Sequence, residues 1–516
     1  MLFSRTHLPA FCFLIAIVFQ SCQPRSANEK EGFDLLRSMD QPSLELDGKT
    51  LAEMYCQACH LFPDPSLLDQ ATWENGVLPD MRRRLGLITE EDFGVAVGED
   101  NDAPPGIYAS SPLITSDIWE KIRAYYRENA PAQLPKNNHW ENEVTDSELF
   151  EMVVPDFPNK RPSLTTLLRY NPFDKKIYLG DRLRSLSRFD PYTFKVLDSV
   201  MVSSPPSEIA FGADGFHLLT MGVMDPSNFS TGKFSFFDYG FQEQVILQNL
   251  TRPVHFANAD LLGDGSESWL VSAFGNHLGQ LSYFRKVGDS YQEHKLNALP
   301  GARRTVVRDV NGDGLQDVVA MMTQAREGIY AYINQGGGKF LEEKWLTFHP
   351  VFGSSDFEWI DMNGDGFADL VVVNGDNADL SPIEKPYHGV RVFLNDGLMH
   401  FSEEYFFPMN GASGLTVGDF DGNGRTDIAA ISYFPQVSNG EWRNFVLLMQ
   451  DSLGKYNPAS VPGLGSLNYL VIDKADIDQD GDLDLMLGSF DFKSTYASPS
   501  WTWTPFVILK NKSQNK

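Results

Sequence analysis

The chain has 516 residues, of which 42% are hydrophobic and 22% charged, and it carries a formal charge of −27. That composition describes a globular chain of two or three domains with enough apolar material to bury a core. The acidity argues against nucleic acid or an anionic membrane surface as the main partner, and leaves metal ions, a basic protein or plain solubility to account for it.

The first segment reads as an export leader. Arg5 and His7 precede the apolar run "LPAFCFLIAIVF", which ends at "QSC". A basic start, an apolar stretch too short to span a bilayer comfortably and a small residue before the break mark a cleaved signal. The segment resembles a bacterial lipoprotein signal, although Phe19 and Gln20 depart from the usual aliphatic-and-small pattern. The resemblance implies a signal peptide at residues 1–21, lipidation at Cys22 and a polar tether over residues 22–43. The expected location is therefore outside the cytoplasm, in the periplasm or at the outer membrane, with a lipid as the only membrane anchor.

Of the four cysteines, Cys12 would leave with the leader and Cys22 would carry lipid. Only Cys56 and Cys59 remain, so a disulfide framework is not available. An exported compartment would still allow one bond between them. They stand in "MYCQACHLFP", with His60 directly behind. Cys-x-x-Cys-His is the attachment pattern for haem c, in which two thiols join the ring and the adjacent imidazole falls beneath the iron. Zinc would need a second ligand pair, and no further cysteine exists. A thioredoxin-like redox pair would need a βαβ setting, whereas the flanks read as helices.

"LDGKTLAEMYCQACH" resembles the first helix of class I cytochromes c, and "SDIWEKIRAYYRENAP" resembles their last. Ser116 or Asp117 is positioned to cap that last helix. The resemblance implies a small all-α cytochrome c domain over residues 44–135, in which the two helices cross at Gly48. It also implies a distal iron ligand, for which Met81 in "VLPDMRRRLG" is the candidate, expected on a loop after Pro79.

The rest of the chain repeats itself. "DVNGDGLQD", "DMNGDGFAD", "DFDGNGRTD" and "DIDQDGDLD" share one template, each between short apolar runs. Oxygen-bearing side chains fall at positions one, three, five and nine. They are Asp309, Asn311, Asp313 and Asp317; Asp361, Asn363, Asp365 and Asp369; Asp419, Asp421, Asn423 and Asp427; and Asp476, Asp478, Asp480 and Asp484. Such spacing suits calcium, which takes six to eight oxygens in a flexible shell. An EF-hand would need a glutamate at position twelve, where Ala320, Val372, Ala430 and Leu487 stand instead.

The pattern resembles the FG-GAP or VCBS repeats of integrin-type β-propellers, which implies about four calcium ions in the turns between first and second strands. "DLLGDGSES" is a weaker copy, with Leu262 and Ser268 at ligand positions. Unit starts near 164, 208, 255, 304, 356, 414 and 471 predict a mainly β fold, a seven-bladed propeller over residues 148–516. The last unit lacks its fourth strand at the C-terminus. "ELFEMVVPDF", residues 148–157, is expected to supply it by pairing with residues 506–510, since a ring must cover its edges.

Long loops on the face away from the calcium turns carry Asp376, Asp379, Tyr387, Tyr433, Trp442, Tyr496, Trp501 and Trp503. Aromatic rings beside carboxylates suit a carbohydrate or a peptide, and they suit loop packing equally. No nucleophile motif, phosphate loop or dinucleotide fingerprint occurs. The expected function is an exported haem c electron-transfer protein with a redox protein partner in the cell envelope. Two alternatives stand beside it. One is a periplasmic dehydrogenase, an oxidoreductase whose propeller holds the substrate and passes electrons to the haem. The other is a cell-surface binding or adhesion protein.

Overall fold

The computed structural model describes residues 45–89, 103–136, 140, 143–159, 161–324, 326–375, 381, 383–438, 440–491 and 502–513. The leader, Cys22, the tether, Asp376, Asp379, Tyr496 and Trp501 lie outside them. Among the described residues no helix is long and apolar enough to cross a membrane.

The protein is a seven-bladed β-propeller preceded by a few helices. Blades one to five span residues 165–201, 206–250, 253–297, 302–347 and 354–408, each a four-stranded antiparallel sheet. Blade six spans 412–460, and a short parallel strand, Thr145–Asp146, lies along its outer edge. Blade seven takes three strands from residues 469–511 and its outermost from Phe150–Val153. Phe150 faces Asn511, Met152 faces Leu509 and Val153 faces Ile508, so a segment ahead of blade one closes the ring. The expected pairing of residues 148–157 with the last strand is made in this form.

The apolar runs after the acidic repeats become second strands buried on both faces. Asp317–Met322, Asp369–Asn374, Asp427–Ser432 and Asp484–Ser489 are buried at every position. Alternate side chains of one strand therefore face different neighbours, and the core divides into layers, one at each junction between blades. Between blades four and five, Val319, Met321 and Ile329 meet Phe357, Leu370 and Val372. Between blades six and seven, Ala429, Ile431 and Leu447 meet Leu485, Leu487 and Phe150. Outer strands such as Phe340–Thr347 are mostly exposed.

Every inner strand carries a bulge after its first residue, as between Pro206 and Glu208 or between Ser354 and Asp356. The bulge residue reaches the next blade. Thr166 Oγ1 donates to the Pro206 carbonyl (2.7 Å), Ser207 Oγ to Pro253 (3.1 Å) and Arg303 Nε to Ser355 (2.9 Å). Ser355 Oγ donates to Ala412 (3.0 Å), and Ser413 Oγ to Tyr469 (3.2 Å). Val254 and Leu470 hold the corresponding places in blades three and seven, and their side chains cannot donate. Further along the inner strands, Arg169 pairs with Glu208 (3.4 Å), and Arg304 with Asp356 (2.6 Å) and Glu358 (2.8 Å).

Helices Gly48–Cys56 and Ser116–Asn129 cross ahead of the propeller. A Cβ on Gly48 would lie 2.3 Å from the Lys121 carbonyl oxygen and 2.9 Å from Tyr125 Cβ, so only glycine permits this crossing. Asp47 caps the first helix by accepting from Thr50 N at 2.8 Å. Thr115, rather than Ser116 or Asp117, caps the second by accepting from Ile118 N. Leu51, Trp73, Ile122 and Tyr126 form the helical core, and Val351 and Ile383 of the propeller pack against it.

Candidate functional site

The first helix ends at Cys56, and the turn after it carries Cys59 and His60. Met81 lies within the helix Leu78–Arg84, not on the loop expected from Pro79, because proline is tolerated in a helix's first turn. Cys56, Cys59, His60 and Met81 all line one cavity of about 420 Å³. Trp73, Leu78, Trp119 and Tyr126 supply much of its apolar wall. The opposite wall is propeller. It comprises His277 and Pro300 of blade three and its exit, Arg326 of blade four, and His349, Val351 and Lys385 around blade five. Tyr387 ties the two parts together by donating its hydroxyl to the Leu67 carbonyl at 2.8 Å.

His60 Nδ1 lies 2.7 Å from the Leu61 carbonyl oxygen. That oxygen can only accept, so Nδ1 carries the proton and Nε2 keeps its lone pair for a metal. Burial lowers the imidazole's pKa, and His349 and Arg84 lower it further, so the ring is neutral near pH 7. Burial pushes the Cys56 thiol up to about 12, against a lowering contribution from the Tyr126 hydroxyl. A thiol held protonated is a poor nucleophile, which does not suit a thioredoxin-like pair. The two sulfurs are not joined to each other. Two thiols, an imidazole with a free Nε2, a thioether and apolar walls on one cavity form a donor set that fits a haem c.

The acidic turns lie on the other face. They join first to second strands, whereas the cavity is walled by second-to-third strand loops and by connections between blades. The position-one aspartates staple their own turns. Asp309 accepts from Gly312 N and Gly314 N, both at 2.8 Å, and Asp361 does the same with Gly364 N and Gly366 N. The position-nine aspartates are buried, and each uses both oxygens on backbone amides. Asp317 accepts from Val310 N (2.9 Å) and Asn334 N (2.7 Å), and Asp484 from Ile477 N (3.0 Å) and Asn511 N (2.8 Å). Position nine thus ties each turn to its blade's third strand, a role that the ligand pattern did not reveal.

Burial pushes Asp427 and Asp484 up to about 6, backbone amides oppose this, and neighbouring carboxylates add to it. Asp317 and Asp369 are raised for the same reasons. Ligand atoms of Asp419, Asp421 and Asp427 lie within 4.8 Å of one another, as do those of Asp476, Asp478 and Asp480. Such hard oxygen donors could hold a divalent cation.

Two of the loop aromatics pack inside the protein. Tyr433 is buried against Phe490 and Phe434, and Trp503 lies between Phe157 and the Arg161 guanidinium, 4.1 Å from its ring centre. Sequence reasoning missed His277, Arg326, His349 and Lys385 as cavity residues. Each sits in a connection with no repeat pattern of its own.

The chain carries an FG-GAP-like repeat, matched over residues 309–372. Comparison with curated proteins returned no match. Among solved structures, the chain is similar to the β-propeller domain of Myceliophteria thermophila Cps50 (Swd1), at 11% identity and a TM-score of 0.41, over 69% of this chain and 98% of that one. It is similar to the N-terminal domain of Nup159, at 10% identity and a TM-score of 0.41, over 71% and 96%. A luciferin-regenerating enzyme matches at 12% identity and a TM-score of 0.35, over 61% and 96%. Likenesses of that strength do not bear on function, and the count of seven blades rests on the strand pairing itself.

Proposed function

We propose that the chain is an exported haem c electron-transfer protein whose propeller forms one wall of the haem cleft and binds a partner or ligand. The observation that carries this reading is the meeting of Cys56, Cys59, His60 and Met81 on one apolar cavity. Cys56 and Cys59 would attach the group, His60 Nε2 would be its proximal ligand and Met81 its distal one. When bound, the group supplies exchange of single electrons with a redox protein of the cell envelope.

The surrounding residues have their own work. The Leu61 carbonyl holds the His60 ring in one tautomer and one orientation. Trp73, Leu78 and Tyr126 keep water from the apolar side. Val351 and His349 close the cleft from the propeller, so a partner docking on that face would approach both parts at once. In this reading the acidic turns hold calcium, and their place on the opposite face gives the ions a structural task. Cys22 would carry the lipid anchor.

The test is production of the full chain in an exported form, in cells that attach haem c. A mass increase of one covalent haem is expected, together with a low-spin reduced spectrum. Cys56→Ala and Cys59→Ala each lower covalent haem, His60→Ala abolishes the low-spin spectrum, and Met81→Ala removes the methionine-to-iron band of the oxidised form. A full chain that matures without covalent haem, or that binds zinc in its place, overturns the reading.

A further inference from the structure

His349 and Gln324, on the propeller wall of the cleft, have side chains without a hydrogen bond among the described residues. His349 stands in the connection between blades four and five, just before the short turn Pro350–Phe352. Its ring stacks on Phe352 with centres 6.2 Å apart, and Phe352 stacks on Tyr387 at 4.7 Å. Tyr387 is the residue bonded to Leu67 of the helical part, so the imidazole is braced through a stack that ends there. Nδ1 is buried without a partner, whereas Nε2 keeps accessible surface on the cleft that the ring lines.

Burial lowers the pKa of this ring, against a raising contribution from Asp64, so the imidazole is neutral near pH 7 and carries one proton. That proton belongs on the nitrogen able to reach a partner, which directs an Nε2–H into the cleft. His60 is arranged the opposite way, with Nδ1–H held by a carbonyl and Nε2 bare, as a metal ligand requires. His349 is therefore built as a donor rather than as a second ligand. Gln324 lies in the loop after the second strand of blade four and adopts a φ of +126°. Such a backbone is costly for a residue with a Cβ and is characteristic of ligand clamps. The charged groups of this wall are already committed, Arg326 to Glu342 and Lys385 to the Ser381 carbonyl.

We propose that His349 and Gln324 hold a carboxylate of the haem, so that the group is shared between the helices and the propeller. This rests on the reading of the cleft as a haem c site. Cys56 and Cys59 would fix the vinyl-bearing half of the ring to the helical wall. The two propionate side chains of a haem stand on its other half, away from the thioethers and toward the propeller. N–H donors to a charged acceptor make strong hydrogen bonds, and neither side chain gives up a partner in the protein to make one. A carboxylate charge near the iron favours the ferric state, and donors that spread this charge favour the ferrous one. The propeller thus tunes the haem as well as covering it.

The experiment is resonance Raman spectroscopy and potentiometry of the full chain, produced in cells that attach haem c, with covalent haem checked by mass in every variant. His349→Phe keeps the stack on Phe352 and loses the donor, whereas His349→Gln keeps a donor. A shifted propionate bending band and a lower midpoint potential are expected in His349→Phe and in Gln324→Met, with a larger change in the double variant. His349→Gln should restore most of both. Gln324→Met, at a half-buried position, decides the matter if His349→Phe disturbs folding. A wild type without covalent haem overturns this inference together with the reading it rests on. Covalent haem with band and potential unchanged by the substitutions overturns this inference alone. So do equal shifts in His349→Phe and His349→Gln, which mark a packing role, or loss of the low-spin spectrum in His349→Phe, which marks an iron ligand.

Discussion

Phe150 is where the ring is fastened, and its removal gives a graded test of that fastening. The side chain is 4% exposed and sits among residues of blades six and seven, with its ring centre 6.1 Å from that of Phe420. Truncating a buried phenylalanine to alanine costs about 3–5 kcal/mol, part lost transfer energy and part cavity. A domain of this size shifts by roughly 2 °C for each kcal/mol, so Phe150→Ala should lower the main unfolding transition by roughly 6–10 °C. Glu151, the next residue, is exposed and faces Lys510, and its replacement by alanine should stay within about 0.5 kcal/mol. Scanning calorimetry of the full chain reads both. The reasoning is refuted if the two variants shift alike, or if Phe150→Ala costs less than about 1 kcal/mol, since closure would then rest elsewhere.

Gly48→Ala places a carbon about 1 Å inside the ~3.3 Å at which carbon ordinarily meets a carbonyl oxygen. The helix crossing should loosen by about 1–3 kcal/mol, read as faster amide exchange over residues 48–56 and 116–129 with propeller amides unchanged. Glu327 is fully buried, and burial pushes its carboxyl up to about 8, against the amide and hydroxyl of Ser354. A carboxyl raised in the folded state keeps a proton that the unfolded chain releases. Its contribution is therefore complete below about pH 4.5 and fades as pH rises toward 8, by up to ~5 kcal/mol. Glu327→Gln should match the wild type in acid and exceed it at pH 8–9; a stability gap independent of pH would sink this. Calcium should stabilise the propeller by about 2.7 kcal/mol at a hundredfold excess over its dissociation constant, read as a higher melting temperature, and Asp421→Ala should remove part of that gain. A transition indifferent to both chelator and calcium would count against all four turns.

The propeller was legible because its signals are local and repeated. The four second strands read as unbroken apolar runs since both their faces are buried. The expected starts at 208, 255, 304, 356, 414 and 471 each fall two residues inside the observed inner strands, where the chain leaves its bulge. The displaced fourth strand was legible from the missing one. The position-nine aspartates were legible as a pattern but not as staples, because their partners, such as Asn334 and Asn511, stand 17 and 27 residues away. The helical side of the cleft was legible in Cys-x-x-Cys-His, but its propeller wall had no local signature, because His349 and Lys385 reach it only through the docking of the helices on the propeller. The loop expected for Met81 is a helix in the fold, because Pro79 stands in that helix's first turn, where its missing N–H costs no hydrogen bond.

The bulge hydrogen bonds that run from blade to blade are interrupted where Val254 and Leu470 stand. By that one bond the ring is two arcs, blades one to three and blades four to seven, and other contacts take over at the two gaps: Asp260 N donates to Gln316 Oε1 (2.7 Å) and Asn334 Nδ2 to the Leu261 carbonyl (2.9 Å) at one, and Thr165 Oγ1 to the Pro505 carbonyl (2.7 Å) and Tyr170 N to Asp473 Oδ2 (3.2 Å) at the other. One gap has Val153 of the strap Phe150–Val153 packed at its side with Phe157 and Phe506. The other falls between His277 and Arg326, under the helices. The N-terminal part of the chain therefore touches the ring near both gaps. Cutting the chain ahead of residue 148 would leave the strap in place but lift the helices from the other gap, which would then rest on its own side-chain hydrogen bonds.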